Sequence, residues 1–141
     1  GTVFISVCDR DKRGIVPIAR DFVRLGFHIV ATLGTARTLQ AAGVDCTPVK
    51  KISEGSPNVL DMLVGGEIAL MINTPFGHAT RDDGYELRTE AVKHGVTQIT
   101  TLAGAQAMAA GLEAMRANGL KVIALQDLPQ HPLPIEGDPV Q

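Results

Sequence analysis

Two threonines flank a glycine in the stretch ATLGTART at residues 31–38, where an apolar run gives way to a helix-like pattern. We expect Gly34 to form a tight turn there, because glycine adopts positive φ at little cost. A turn does not need a hydroxyl group on each side, so Thr32 and Thr35 indicate a ligand. The start of a helix offers free backbone N–H groups and a positive dipole end, which suit a phosphate. A helix N-cap followed by a turn is the alternative explanation.

Polar side chains also follow the other predicted strands, at the edge where parallel α/β sheets bind their ligands. They are Asp9, Asp11, Lys12 and Arg13 after the first strand, Lys50 and Lys51 after the third, Asn73 and Thr74 after the fourth, and Thr100 and Thr101 after the fifth. The loops expected on the opposite edge, at 25–26, 42–45 and 94–96, have the composition of plain turns. This asymmetry predicts an anion site, where lysine adds charge and the amide of Asn73 suits a ribose or a base.

The elements that must position these residues alternate between strands and helices. Apolar and β-branched runs predict the strands, helical spacing of apolar residues predicts the helices, and the alternation favours a mostly parallel sheet covered on both faces. The predicted strands are 2–7, 27–31, 46–49, 68–72 and 96–100, and the predicted helices are 14–26, 36–43, 58–66, 85–95 and 103–119.

Prolines set two of the expected boundaries. Pro17 cannot donate a helical hydrogen bond, so we expect it in the first turn of a helix that starts near Gly14, after a loop at residues 8–13. The segment 121–125 is a candidate last strand, and four prolines from Pro129 onward predict a loose tail. We therefore divide the chain into one domain at 1–128 and a Pro-rich tail at 129–141.

Composition limits the classes of function. A chain of 141 residues with 45% hydrophobic residues fits one globular domain, and a net charge of -2 without a basic tract argues against nucleic acid or an anionic membrane as partner. Since no apolar run approaches the ~20 residues of a membrane span and no signal peptide is visible, we expect a cytoplasmic protein. Two cysteines predict free thiols, and four dispersed histidines predict no metal site. The first residue is glycine, which indicates a processed chain or a piece of a longer one.

Six motifs, in this order and spacing, resemble the carboxyl-terminal regulatory domain of the large chain of carbamoyl-phosphate synthetase, a member of the methylglyoxal-synthase-like family. They are GTVFISVCDRDK, ATLGTART, KKISEGSP, MINTPFG, RDDGYELRTEAV and TTLAGAQA, and the resemblance covers residues 1 to 128. It implies an α/β fold, a three-layer sandwich with about five mostly parallel strands and helices on both faces.

The resemblance also implies a function for the domain. Its parent enzyme makes carbamoyl phosphate from glutamine or ammonia, bicarbonate and two ATP, with Mg or Mn and K, and the active sites lie in other domains. In that family, UMP inhibits by binding this domain, IMP can share the pocket, and ornithine activates from the interface with the neighbouring domain. The implied partners are the other large-chain domains, the glutaminase small chain and an oligomer contact, and no cofactor is implied for this domain.

The family's binding residues carry over by position. The effector phosphate is expected to meet Lys12, Thr32, Thr35 and Lys51, with Gly34 at the corner and Asn73 and Thr74 closing the pocket. The activator-side threonine maps to Thr100, and Gln98 stands two positions before it, where relatives often have tyrosine. Lys50 lies next to Lys51, so the sequence leaves open which of the two reaches the phosphate.

Two other functions are alternatives. Methylglyoxal synthase moves protons on dihydroxyacetone phosphate with a carboxylate from a Gly-Gly-Asp segment, where this chain has EGSP at residues 54–57. Asp9 sits where that enzyme keeps the aspartate of His-Asp-x-x-Lys, but Cys8 replaces the histidine, so the acid/base set is incomplete. A pure oligomerisation module is the third class.

Overall fold

The computed structural model describes residues 1–75 and 81–118, without the side chains of residues 81–84. In these ranges the chain forms a five-stranded sheet with the order β3-β2-β1-β4-β5, and all four neighbouring pairs are parallel. The strands are β1 (Thr2–Ser6), β2 (His28–Thr32), β3 (Thr47–Val49), β4 (Leu70–Asn73) and β5 (Thr97–Ile99). The five strands predicted up to residue 100 and the α/β fold class are therefore confirmed.

Five α-helices in the described ranges cover the two faces of the sheet. They are α1 (Lys12–Arg24), α2 (Leu33–Ala41), α3 (Val59–Val64), α4 (Arg81–Lys93) and α5 (Leu102–Ala117), with short 3-10 turns at Asp9–Asp11 and Ile52–Glu54. Side chains of α1, α2 and α5 share one apolar core with one face of the sheet, and side chains of α3 and α4 share a second core with the other face. The three layers follow from the period-two alternation of the strands: in β1, Val3 and Ile5 enter the first core and Phe4 enters the second.

The start of α1 differs from the prediction. The helix begins at Lys12 and follows a 3-10 turn, so most of the expected loop at 8–13 is helical and Pro17 lies in the second turn instead of the first. Pro17 removes a hydrogen bond to the carbonyl of Arg13, but both residues lie on the exposed side of α1, where water can bind that carbonyl. Burial of Ile15, Ile18 and Phe22 on the opposite side holds the helix together.

Turn residues at the amino ends of the strands behave as the sequence predicts. Gly43 closes α2 with a φ of 82°, and the N–H of Val44 donates to the carbonyl of Leu39 at 2.9 Å. This left-handed residue turns the chain after the helix so that Val44 reaches a carbonyl of the last helical turn. Pro48 lies on the edge strand β3, where a missing backbone donor is tolerated.

The strand order creates a crevice beside β1. The helix that follows β1 covers one face of the sheet, whereas the helix that follows the adjacent strand β4 covers the other. After β1 the chain therefore runs to one face of the sheet, and after β4 it runs to the other. Ligands of open parallel sheets bind between two strand ends of this kind. This crevice positions the predicted site.

Some expectations concern residues outside the described ranges. They are the candidate strand at 121–125, the Pro-rich tail at 129–141 and the part of the polar loop at 76–80. In the described ranges, α4 begins at Arg81, four residues before the predicted helix start. No helix among residues 1–75 and 81–118 is long and apolar enough to cross a membrane.

Candidate functional site

Three buried threonine hydroxyls converge on the carboxyl end of β1. The backbone N–H of Val7 donates to Thr35 Oγ1 at 3.2 Å, and the N–H of Cys8 donates to Thr74 Oγ1 at 3.0 Å. Thr32 Oγ1 lies 3.0 Å from Ser6 Oγ and completes the set from β2. All three threonines are almost fully buried, so these hydroxyls satisfy polar groups that would otherwise lose their contact with water.

The corner at ATLGTART is the first turn of a helix and contains no left-handed glycine. Helix α2 begins at Leu33, three residues before the predicted start, and Gly34 is not among the described glycines with positive φ. The predicted tight turn is therefore wrong. Thr32 occupies the N-cap position, but its side chain makes no hydrogen bond to the first-turn N–H groups. Its hydroxyl bonds Ser6 instead, so the first turn receives no side-chain cap from this residue.

Lys12 brings a positive charge to this uncapped turn. A Cβ placed on Gly34 would lie 3.5 Å from both Cε and Nζ of Lys12, so the lysine side chain runs alongside the glycine. Its ammonium group forms an ion pair with the exposed carboxylate of Asp9, three residues earlier. The hydrogen bond and the charge of Lys12 lower the pKa of Asp9 below its ordinary value. The first turn of α2 thus lies beside a cation that the sequence alone assigns to another loop.

The remaining predicted residues lie along the same edge of the sheet. Asn73 ends β4 and pairs in register with Ser6, so it lies at the crevice with Thr74. Lys51 follows β3 at one side of the sheet, and its N–H donates to Glu54 Oε1 at 2.7 Å. Thr100 is exposed and follows β5 at the other side.

The two flanks of this edge, at the outer strands β3 and β5, lie far apart. With about 4.8 Å between neighbouring strands, the ends of β3 and β5 lie about 19 Å apart. A single phosphate cannot contact both Lys51 and Thr100. The structure therefore groups Thr32, Gly34, Thr35 and Lys12 around one corner and leaves Thr100 on a distinct flank.

Sequence reasoning missed Ser6 as a member of the site. Its hydroxyl accepts from Thr32 Oγ1, and its carbonyl accepts from the N–H of Thr74 at 3.0 Å. The available signal was a serine near the end of a strand that is otherwise apolar, TVFISV. The bond to Thr32 spans 26 residues, so only the parallel pairing of β1 and β2 reveals it.

The acidic side chains near the corner are paired with neighbouring side chains. Cys8 Sγ lies 3.2 Å from Asp11 Oδ2 and Asp9 pairs with Lys12, so each described carboxylate of this loop already has a partner. A lowered pKa keeps Asp9 ionised, which weakens it as a proton donor. Cys8 is buried and Cys46 is half-buried, and both are free thiols as predicted. Within residues 1–75 and 81–118 no group of three His, Cys, Asp or Glu residues could hold a metal ion.

The parallel five-stranded sheet with helices on both faces is an α/β fold, and it is the fold of the methylglyoxal-synthase-like class. A crystal structure of methylglyoxal synthase from Elizabethkingia anophelis NUHP1 matches with a TM-score of 0.63 at 15% identity, over 77% of this chain and 76% of that chain. Residues 14–100 match the family model of the MGS-like domain. The chain belongs to the MGS-like domain family.

Sequence relatives are more specific than the fold. The carbamoyl phosphate synthase large chain, C-terminal section, of Methanopyrus kandleri is 50% identical over 129 residues, which cover 91% of this chain and 24% of that protein. The carbamoyl phosphate synthase large chain of Rubrobacter xylanophilus is 47% identical over 129 residues, covering 91% of this chain and 12% of that protein. The chain therefore matches only a small part of the length of these relatives.

Proposed function

We propose that this chain is the regulatory domain of a carbamoyl phosphate synthase large chain and that it binds a nucleoside monophosphate, UMP or IMP, at the corner between β1 and α2. Identity of 45% to 50% to large chains, over about nine tenths of this chain, supports the first part. In this proposal the ATP-dependent synthesis takes place in other domains of the large chain, fed by a glutaminase small chain, and this domain carries no catalytic set.

The observation that carries the nucleotide proposal is the uncapped first turn of α2 beside Lys12. Because the Thr32 hydroxyl bonds Ser6, the first-turn N–H groups remain free of a side-chain cap and can donate to phosphate oxygens. The Thr35 hydroxyl accepts from Val7, which leaves its own proton for a ligand oxygen. Lys12 can exchange the exposed Asp9 carboxylate for the phosphate, since a dianion attracts the ammonium group more strongly than a single carboxylate.

The other site residues extend this corner into a nucleotide pocket. Asn73 offers a donor and an acceptor at the crevice, which suits the ribose or the base, and Thr74 fixes the strand end beside it. Lys51 approaches from the β3 side and adds a second charge. Four or five charge-assisted hydrogen bonds of about 1.5 to 3 kcal/mol each, reduced by desolvation and ordering, give affinities of about micromolar.

The activator-side role of Thr100 is a separate part of the proposal. Thr100 lies on the β5 flank, about 10 Å from the end of β1 by strand spacing, so ornithine there would bind apart from the phosphate corner. Neighbouring large-chain domains would complete that second site.

Calorimetric titration of UMP, IMP and ornithine into the chain tests the proposal. We expect UMP or IMP to bind, and Lys12→Ala to weaken that binding by at least about tenfold. Lys93→Ala is the matched control, because it removes a lysine from the last turn of α4, away from the carboxyl edge. Equal affinity in Lys12→Ala and Lys93→Ala would contradict the phosphate site.

Two further measurements separate the proposal from its alternatives. Conversion of dihydroxyacetone phosphate to methylglyoxal by this chain would show an enzyme instead of an effector domain. In the complete large chain with its small chain, UMP is expected to change the rate of carbamoyl phosphate synthesis, and Lys12→Ala is expected to remove that response. A pure oligomerisation module would leave the rate unchanged at any UMP concentration.

A further inference from the structure

The first turns of α1 and α5 approach each other closely at Gly14. A Cβ placed on Gly14 would lie 2.5 Å from Cδ1 of Leu102, which is closer than two such carbons can come. Leu102 is the first residue of α5 and packs against the core that α1 shares. The glycine thus leaves a space that the leucine side chain fills, and the two helix starts interlock at this contact.

The first turn of α5 is in turn held against the end of β5. The N–H of Gly104 donates to Thr101 Oγ1 at 3.0 Å, which caps the helix. A Cβ on Gly104 would lie 3.0 Å from Ile99 Cγ2 and 3.1 Å from Thr101 Oγ1, so this turn has little room to move on its own. A displacement of Leu102 must therefore reach the loop of Thr100 and Thr101.

These contacts lead back through α1 to Lys12, which lies beside the first turn of α2. Lys12 is the first residue of α1, two residues before Gly14, and it belongs to the same helical turn. Its ammonium group pairs with Asp9 while its side chain runs beside Gly34 of α2. The lysine therefore has two alternative partners, the carboxylate of Asp9 and an anion at the first turn of α2.

We propose that the partner of Lys12 sets the position of the first turn of α1, and that the Gly14 to Leu102 contact transmits this position to the loop of Thr100 and Thr101. This inference rests on the proposed nucleotide site for the identity of the anion, and on the described contacts for its route. The contact couples the corner around Lys12 to the β5 flank, which lies about 10 Å from the end of β1 by strand spacing. By linkage, a ligand on the Thr100 flank changes the affinity for the anion by the same factor by which the anion changes the affinity for that ligand.

Substitution of Lys12 tests the route without any ligand. In Lys12→Met the pairing with Asp9 is lost, and we expect the backbone amide resonances of Thr101 and Gly104 to shift relative to the parent. In the Leu102→Ala background the same Lys12→Met change is expected to shift these amides by no more than about half as much, because coupled residues show non-additive effects. Met115→Ala, which shortens a partly buried side chain at the far end of α5, is the control background and keeps the full shift.

Titration with UMP, and with inorganic phosphate as a simpler anion, tests the same route from the ligand side. We expect the amides of Gly34, Thr101 and Gly104 to shift in the parent, and only that of Gly34 to shift fully in Leu102→Ala. Equal shifts of Thr101 in the parent and in Leu102→Ala, in either experiment, would overturn the coupling. If neither anion shifts Gly34, the nucleotide site is wrong, and the Lys12→Met comparison still decides the route on its own.

Discussion

Replacement of Thr35 by valine tests how much the Thr35 hydroxyl contributes to the stability of the fold. The side chain is 1% exposed, and its Oγ1 accepts from the N–H of Val7, which is itself fully buried. Valine keeps the shape of threonine but removes the acceptor, so a buried backbone donor loses its partner. We expect this to lower the free energy of unfolding by about 1 to 3 kcal/mol. For a chain of this length that corresponds to a melting temperature lower by roughly 3 to 10 °C.

Two matched variants separate the hydrogen bond from packing. Thr35→Ser keeps the hydroxyl and loses one buried methyl group, which costs about 0.8 kcal/mol. Thr32→Val removes a hydroxyl whose partner is another hydroxyl, Ser6 Oγ, and strands no backbone donor, so its cost is expected to be smaller than that of Thr35→Val. Urea unfolding of the three variants gives the order. If Thr35→Val is as stable as the parent, the bond to Val7 contributes nothing and the reasoning fails.

The same variants measure the ligand half of the corner. UMP titrations are made at a temperature where every variant is folded, so that loss of stability does not imitate loss of affinity. Thr35→Ser retains the donor proton and is expected to bind UMP within about threefold of the parent, whereas Thr35→Val is expected to bind at least about tenfold more weakly. Unchanged affinity in Thr35→Val would show that the hydroxyl serves only the fold.

Three further predictions concern charge and ionisation. Lys51→Ala is expected to weaken UMP binding by about 1 to 3 kcal/mol in calorimetry at a temperature where the variant is folded, and full retention of affinity would remove Lys51 from the site. The pKa of Asp9 is lowered by Lys12, so the pairing contributes above the unfolded pKa and is lost as pH falls through the folded value. A carboxyl titration followed by NMR is expected to show that pKa return toward its ordinary value in Lys12→Ala. Burial and the neighbouring charge of Asp45 raise the pKa of Cys46, so Asp45→Asn is expected to speed alkylation of this thiol near neutral pH, and an unchanged rate would contradict that cause.

The strands and most helices could be predicted because their signals are local. The continuous apolar run at 68–72 becomes the buried strand β4, and Asn58 caps α3 through hydrogen bonds from Leu60 and Asp61. The spacing of the apolar residues and the type of the capping residue are both local features of the sequence, so these elements can be predicted without knowing any tertiary contact.

The first turn of α2 could not be predicted from local signals. Gly34 lowers helix propensity and favours a turn when the stretch is considered alone. In the fold, the N–H of Val7, just after β1 and 28 positions from Thr35, donates to the hydroxyl of this third helical residue, and Lys12 lies alongside the glycine. Contacts between residues so far apart in the chain depend on which strands are neighbours, and local sequence signals do not determine the order β3-β2-β1-β4-β5.

The predicted site residues do lie along one edge of the sheet, as the sequence indicates, and the reason is topological. In a parallel sheet every strand delivers its following residues to the same edge, so polar residues after several strands converge whatever the strand order. What the strand order adds is their distribution: Lys12, Thr32 and Thr35 gather near β1, and Thr100 lies on the β5 flank. Whether these residues bind a nucleotide stays a prediction.

The inward hydrogen bonds of the threonines do not exclude a ligand, because a hydroxyl accepts and donates through different atoms. Thr35 accepts from Val7 with a lone pair, and its proton remains to be donated. The hydroxyl of Thr32 donates to Ser6, and its side chain makes no hydrogen bond to the first-turn N–H groups of α2. An N-cap that bonded its own helix would stabilise that helix and occupy the donors that an anion needs. Strand β1 thus provides the hydrogen-bond partner of Thr32, and the first-turn N–H groups of α2 have no side-chain cap and lie beside Lys12, which pairs with Asp9.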